Sequence, residues 1–133
     1  MMCDIPTQTS NTRWIWCHGN KPVENPEKVG KWMLFYSEVD IDKKWKKACE
    51  LVDKEMLFVI KSSTNMPTSY SKGDFVLIIY TADYDDKEDV FKVAKIIKEN
   101  IGYNKKMYYK TDNQTRANIY ARNGKGKAYI HSF

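Results

Sequence analysis

Apolar and polar positions recur along this chain with two different periods, and each switch of period marks an element. Lys31–Ser37 (KWMLFYS) predicts a strand, with Trp32, Leu34 and Tyr36 on one face and Met33 and Phe35 on the other. From Asp40 to Asp53 the spacing becomes helical: Trp45, Ala48, Cys49 and Val52 form an apolar stripe, and Lys43, Lys44, Lys46 and Lys47 fill the outer face. Asp40 or Asp42 is placed to cap that helix. Met56–Ile60 reads as a second strand. FVLIIY, within Asp74–Thr81, is a continuous apolar run of the kind found in a buried central strand. An acidic stretch, Asp83–Asp89, opens a second helix, where the helix dipole favours negative charge. Val90, Val93, Ala94, Ile97 and Ile101 make its buried stripe, and Gly102 stands where a helix C-cap belongs.

The remaining segments follow from turn chemistry. Arg13–His18 is a short strand or an anchored arm, and Gly19–Gly30, with Pro22 and Pro26, is a loop. Ser62–Gly73 is a polar loop of the kind that often carries function. Lys105–Lys110, Arg116–Arg122 and Ala128–Phe133 read as three strands in antiparallel hairpins, with Asn123-Gly124 as a tight turn. Residues 1–12 are polar and expected to form a flexible arm; 13–133 are expected to form one domain. The order predicts an α+β fold: a curved, mostly antiparallel sheet with two main helices packed on one face. The other face is then left to bind something.

Composition sharpens this picture. An apolar share of 42% suffices for a real core. No apolar run approaches the roughly 20 residues of a membrane-spanning helix, and the first residues lack the basic start and apolar stretch of a signal peptide. Cys3, Cys17 and Cys49 show no paired spacing, which argues for thiols in a reducing cytoplasm rather than a disulfide or zinc framework. The acidic run at 83–89 lacks the glycine and spacing of a calcium loop, and no phosphate-binding glycine loop occurs, so neither metal nor cofactor is expected.

Charge is unevenly placed. Of the net +5, the segment from Tyr103 onward carries seven basic residues against one acidic residue, Asp112, leaving the first 102 residues at −1. Such a one-sided field attracts phosphates and acidic partners. Strand alternation puts Arg116, Asn118, Tyr120 and Arg122 on one face, and Lys106, Tyr108 and Lys110 on one face of the preceding strand. Together they would form a lattice of phosphate-binding cations and stacking rings. Trp14 and Trp16 project from one side, as core or as the wall of a stacking pocket. The two histidines, His18 and His131, would be the acid and base of a metal-independent phosphodiesterase if they met in space.

Three segments carry a wider resemblance: GKWMLFYS with the Trp-containing helix after it, YTADYDDKEDVFKVAKIIKENIG, and YYKTDNQTRANIYAR. Together they resemble the basophilic-leukaemia-expressed protein family, whose fold is similar to the cap-binding translation initiation factor 4E. The resemblance implies a curved antiparallel sheet backed by helices. Cap-binding proteins sandwich a methylated guanine between two Trp rings, fix it with a Glu, and hold the phosphates with basic residues. By that resemblance Trp16 is one wall, and Lys110, Arg116 and Arg122 are phosphate ligands. The 62–73 loop, where a second wall would arise, offers Tyr70 and neither Trp nor Glu, a departure from the cap-binding pattern.

The leading expectation is therefore non-catalytic binding of an anionic nucleotide or single-stranded RNA end. The alternatives are a small nucleotide-cleaving phosphodiesterase and a module for an acidic protein partner. No membrane partner is expected.

Overall fold

The computed structural model describes residues 4–20, 23–66, 74–111 and 131–133. Its elements run β1 (Trp14–His18), β2 (Gly30–Ser37), α1 (Glu38–Asp53), β3 (Val59–Ser63), β4 (Asp74–Thr81), α2 (Lys87–Ile96), β5 (Tyr108–Thr111) and β6 (His131–Ser132). A π-helical turn, Ile97–Ile101, continues α2. Among the described residues the strands form one six-stranded curved sheet in the order β1-β3-β4-β2-β5-β6, with antiparallel pairing throughout. The α+β architecture expected from the period switches is therefore the one observed.

Both helices pack on one face through their apolar stripes. Ile41, Trp45, Ala48 and Val52 of α1, Val90, Val93 and Ala94 of α2, and Ile97 of the π turn meet Trp32, Leu34, Leu77 and Ile79 of the central strands in one buried cluster. The Trp32 indole N–H donates to Val90 O at 2.9 Å, and its ring meets Phe91 and Tyr109 edge-on. Gly102 closes the π turn with φ 81°, and its N–H donates to Ile97 O at 3.0 Å. The Lys28–Asp85 ion pair and a Tyr84 N–H bond to Lys28 O at 2.8 Å tie the β1–β2 connection to the turn before α2.

Several expectations change. Helix α1 begins at Glu38 with Ser37 at the N-cap position, so neither Asp40 nor Asp42 caps it. Strand β2 runs directly into the helix, and Asp42 instead accepts from the N–H and hydroxyl of Thr7. Asp86, by contrast, caps α2 by accepting from the Asp89 N–H. The segment read as a flexible arm holds a 3-10 turn at Pro6–Gln8, and from Asp4 onward it is bound to the body: Trp45 Nε1 donates to Asp4 O at 2.7 Å, and Asn65 N–H to Thr9 O at 2.9 Å. The second strand occupies Val59–Ser63 rather than Met56–Ile60. Residues 55–57 are consumed by the end of α1, where the Glu55 and Met56 N–H groups bond back to Val52 O and Leu51 O. Finally, the sheet face away from the helices is not bare: Val29, Val59, Val76, Ile78 and Tyr80 are buried on it as a second cluster.

Two backbone positions generate predictions. Glu55 sits at φ 62°, where glycine is at ease and other residues pay about 1 kcal/mol. Glu55→Gly is expected to raise stability by about that amount, read as a higher midpoint in urea denaturation. At Gly30 an added methyl would lie 2.0 Å from Tyr109 Oη, which is hydrogen-bonded to Thr81 Oγ1. Gly30→Ala is expected to cost roughly 1–3 kcal/mol by overpacking and to lower the thermal midpoint.

Candidate functional site

Antiparallel register arranges the helix-free face in transverse rows. One runs Trp16–Lys61–Ile78–Met33–Tyr108, and the next His18–Val59–Tyr80–Lys31–Lys110. The strand period of two brings these residues to one side, while Ile15, Cys17, Ile60 and Tyr109 point back into the core.

The β1 end of the face is an aromatic cluster built around a cation. Trp16 stacks near-parallel on His18, with centroids 5.6 Å apart, and on Tyr80, with centroids 5.9 Å apart, both at 11°. Lys61 holds its ammonium 4.2 Å from the Trp14 ring centroid, 4.9 Å from that of Trp16 and 5.7 Å from that of Tyr80. An ammonium among three rings is attracted by their negative faces. Tyr80 is buried, but Trp16 remains 46% exposed, so its indole presents open aromatic surface.

At the other end of the rows, Lys31 and Lys110 face each other across β2 and β5. Lys31 is only 8% exposed. Burial, followed by the field of Lys31, holds the Lys110 ammonium below its ordinary pKa. Two cations in one partly desolvated position favour the approach of negative charge. Tyr108 is exposed beside them, and Lys106 is exposed just before β5, while Met107 and Tyr109 are buried as alternation required.

The histidines do not meet. His18 is on β1 and His131 on β6, at opposite ends of the strand order among the described residues. Five strand spacings of about 4.8 Å separate them, about 24 Å in all. They also point to opposite faces: His131 packs on the helix side, 5.2 Å from the Phe91 ring and 5.6 Å from the Tyr109 ring. Tyr70, Arg116, Asn118, Tyr120 and Arg122 lie outside the described residues. Sequence reasoning missed Lys61, Tyr80 and Lys31. A lone lysine directly after Val59 and Ile60 in β3 was a usable signal for Lys61, but its neighbours come from β1 and β4, which pairing alone reveals.

A six-stranded antiparallel sheet backed by two helices, with a Trp–Lys–Tyr cluster on its other face, defines an α+β fold of the initiation-factor type. Solved structures agree on the fold. Schistosome eIF4E complexed with m7GpppG and 4E-BP superposes with a TM-score of 0.64 at 13% identity, covering 94% of this chain and 71% of that one. C. elegans eIF4E-3 with the 4E-binding protein Mextli and a cap analog gives 0.62 at 12% identity, covering 78% and 64%. Ascaris suum eIF4E-3 with m7G cap gives 0.56 at 13% identity, covering 74% and 60%. The chain thus spans less than two thirds of the length of the last two. The family profile of basophilic leukemia-expressed protein Bles03 matches residues 7–117, and the chain belongs to that family. Among curated proteins, none matches the sequence significantly. Among the described residues, no helix is long and apolar enough to cross a membrane.

The placement of His131 gives the chain a pH signature. Burial, then the neighbouring Lys87, hold its imidazole below the ordinary value of 6.5. The unfolded chain therefore binds the proton more readily, and the contribution is complete above pH 6.5 and is lost as pH falls through the folded-state value. Urea denaturation at pH 7.5 and 5.5 should show lower stability at the acid pH, and His131→Gln should flatten that difference.

Proposed function

We propose that this chain binds an anionic nucleotide or RNA end without cleaving it, with Trp16 as the stacking platform and lysines on the same sheet face drawing the phosphates. The observation that carries this reading is the exposed Trp16 ring, held parallel to Tyr80 and His18 beside the Lys61 ammonium. A base is flat and its phosphates are negative, so a rigid ring next to a cation suits both parts. The solved neighbours include complexes with m7GpppG, with a cap analog and with m7G cap, which lends the reading weight at the level of fold. Tyr80 and Lys61 extend the candidate set beyond Trp16, Lys106, Tyr108 and Lys110; Tyr70, Arg116, Asn118, Tyr120 and Arg122 remain part of the proposal from sequence. The separation of His18 and His131 argues against a two-histidine phosphodiesterase.

A protein partner is the second reading, favoured by neighbours that hold 4E-BP or Mextli. In that case an acidic protein would bind with no competition from RNA.

The test is a fluorescence titration of Trp emission with m7GTP and with short capped and uncapped RNAs at two salt concentrations, with chromatographic recovery of each ligand. Intact ligand, affinity falling with salt, and a loss of roughly 1–3 kcal/mol in Trp16→Ala (about 5- to 150-fold) are expected. Equal affinity in Trp16→Ala and wild type would sink the proposal, and ligand consumption would make the protein an enzyme.

A further inference from the structure

At the end of the sheet where β2 passes into α1, a groove of about 570 Å³ opens between Phe35, Tyr36 and Asp74 on one side and the Gly102–Lys105 segment on the other. That size falls within the range of small-molecule sites. Tyr36 is the unusual member. It is 8% exposed, and its hydroxyl is a buried polar atom with no hydrogen-bond partner. Buried polar groups are nearly always paired, so an orphan hydroxyl in the wall of a groove points to an acceptor that arrives from outside.

The surroundings narrow what that acceptor is. Burial first, then Tyr103 and Asp40, raise the Tyr36 pKa far above its ordinary value, so the phenol stays protonated and acts as a donor. The Tyr103 ring meets Tyr36 edge-on at 5.3 Å, and its hydroxyl accepts from the Phe35 N–H at 3.2 Å while keeping one proton to donate. Lys44 holds its ammonium 5.9 Å from the Tyr36 ring centroid, anchored by Ile101 O at 2.8 Å and Gly102 O at 3.3 Å. Lys98 is fixed in the same way by Tyr103 O at 3.0 Å. Each ammonium has three protons, so these bonds position the cations without exhausting them. With Lys105, three lysines line the groove against two aspartates, Asp40 and Asp74. Phe35, 42% exposed, adds an apolar wall.

We propose that this groove is a second binding site, for a small ligand bearing a carboxylate or phosphate oxyanion, with the Tyr36 hydroxyl donating to an oxyanion oxygen and the lysines supplying the field. The site shares no residue with the Trp16 cluster, and its existence does not depend on nucleotide binding there.

The test is an NMR titration of the isotopically labelled full chain, in parallel with inorganic phosphate and with benzoate. Saturable shifts are expected at the Tyr36 and Tyr103 rings and the Gly102 amide; saturation by benzoate alone assigns a carboxylate ligand, and by phosphate alone a phosphate. Tyr36→Phe keeps the ring and should weaken the binding at least fivefold, whereas Trp16→Ala should leave it unchanged. Linear, unsaturable shifts scattered over surface lysines, or undiminished affinity in a folded Tyr36→Phe, would overturn the assignment.

Discussion

The fold depends on a buried indole that must satisfy its own N–H. Trp32 is fully buried in the central strand β2, and the carbonyl that accepts its proton belongs to Val90, in the first turns of α2. A buried donor without that partner would carry a desolvation cost of about 1–3 kcal/mol, so the bond fixes where α2 crosses the sheet. The same ring packs against Tyr109, whose phenol passes over Gly30 and reaches Thr81. One aromatic node thereby links β2, β4, β5 and α2. Gly30 has no side chain because the Tyr109 ring occupies the space a side chain would need.

The two faces of the sheet inherit different chemistry from this arrangement. The helix side is mainly apolar and buried, with Ser62 and Thr81 as buried polar members and His131 packed against Phe91 and Tyr109. The opposite side mixes a small apolar cluster with lysines and rings, so its cations sit near low-dielectric surface, where charge acts more strongly than in water. Lys61 among the rings and Lys110 beside Lys31 are two expressions of that constraint. The two candidate sites use the fold differently. The Trp16 cluster sits on strands, held by register, whereas the Tyr36 groove sits where β2 turns into α1 and is lined by the segment following the π turn. There, cationic side chains replace the missing hydrogen bonds of a helix end.

Local pattern carried the helices and the long strands because each depends on a period that neighbouring residues share. The α2 stripe, the Gly102 cap and the inward set Trp32, Leu34 and Tyr36 all lie where spacing put them. Boundaries failed where a long-range bond competed with local preference. Asp42 was diverted from capping by Thr7, the start of β3 was displaced by backbone bonds closing α1, and residues from Asp4 onward were held by Trp45 and Asn65.

By itself the sequence determined the main element types, the inward set Trp32, Leu34 and Tyr36 of β2 and the class of fold, because these follow from periodicity and turn chemistry within a few residues. Trp16 was legible as a candidate wall, but alternation alone left it open whether its side of the strand faced the core or a pocket. Only the tertiary structure decided that β1 pairs with β3, which places Lys61 and Tyr80 around Trp16, and that His18 and His131 lie at opposite ends of the described strand order and on opposite faces of the sheet. Strand order joins residues tens of positions apart in the chain. It is chosen by the packing of the whole sheet against two helices, which no local window of sequence contains.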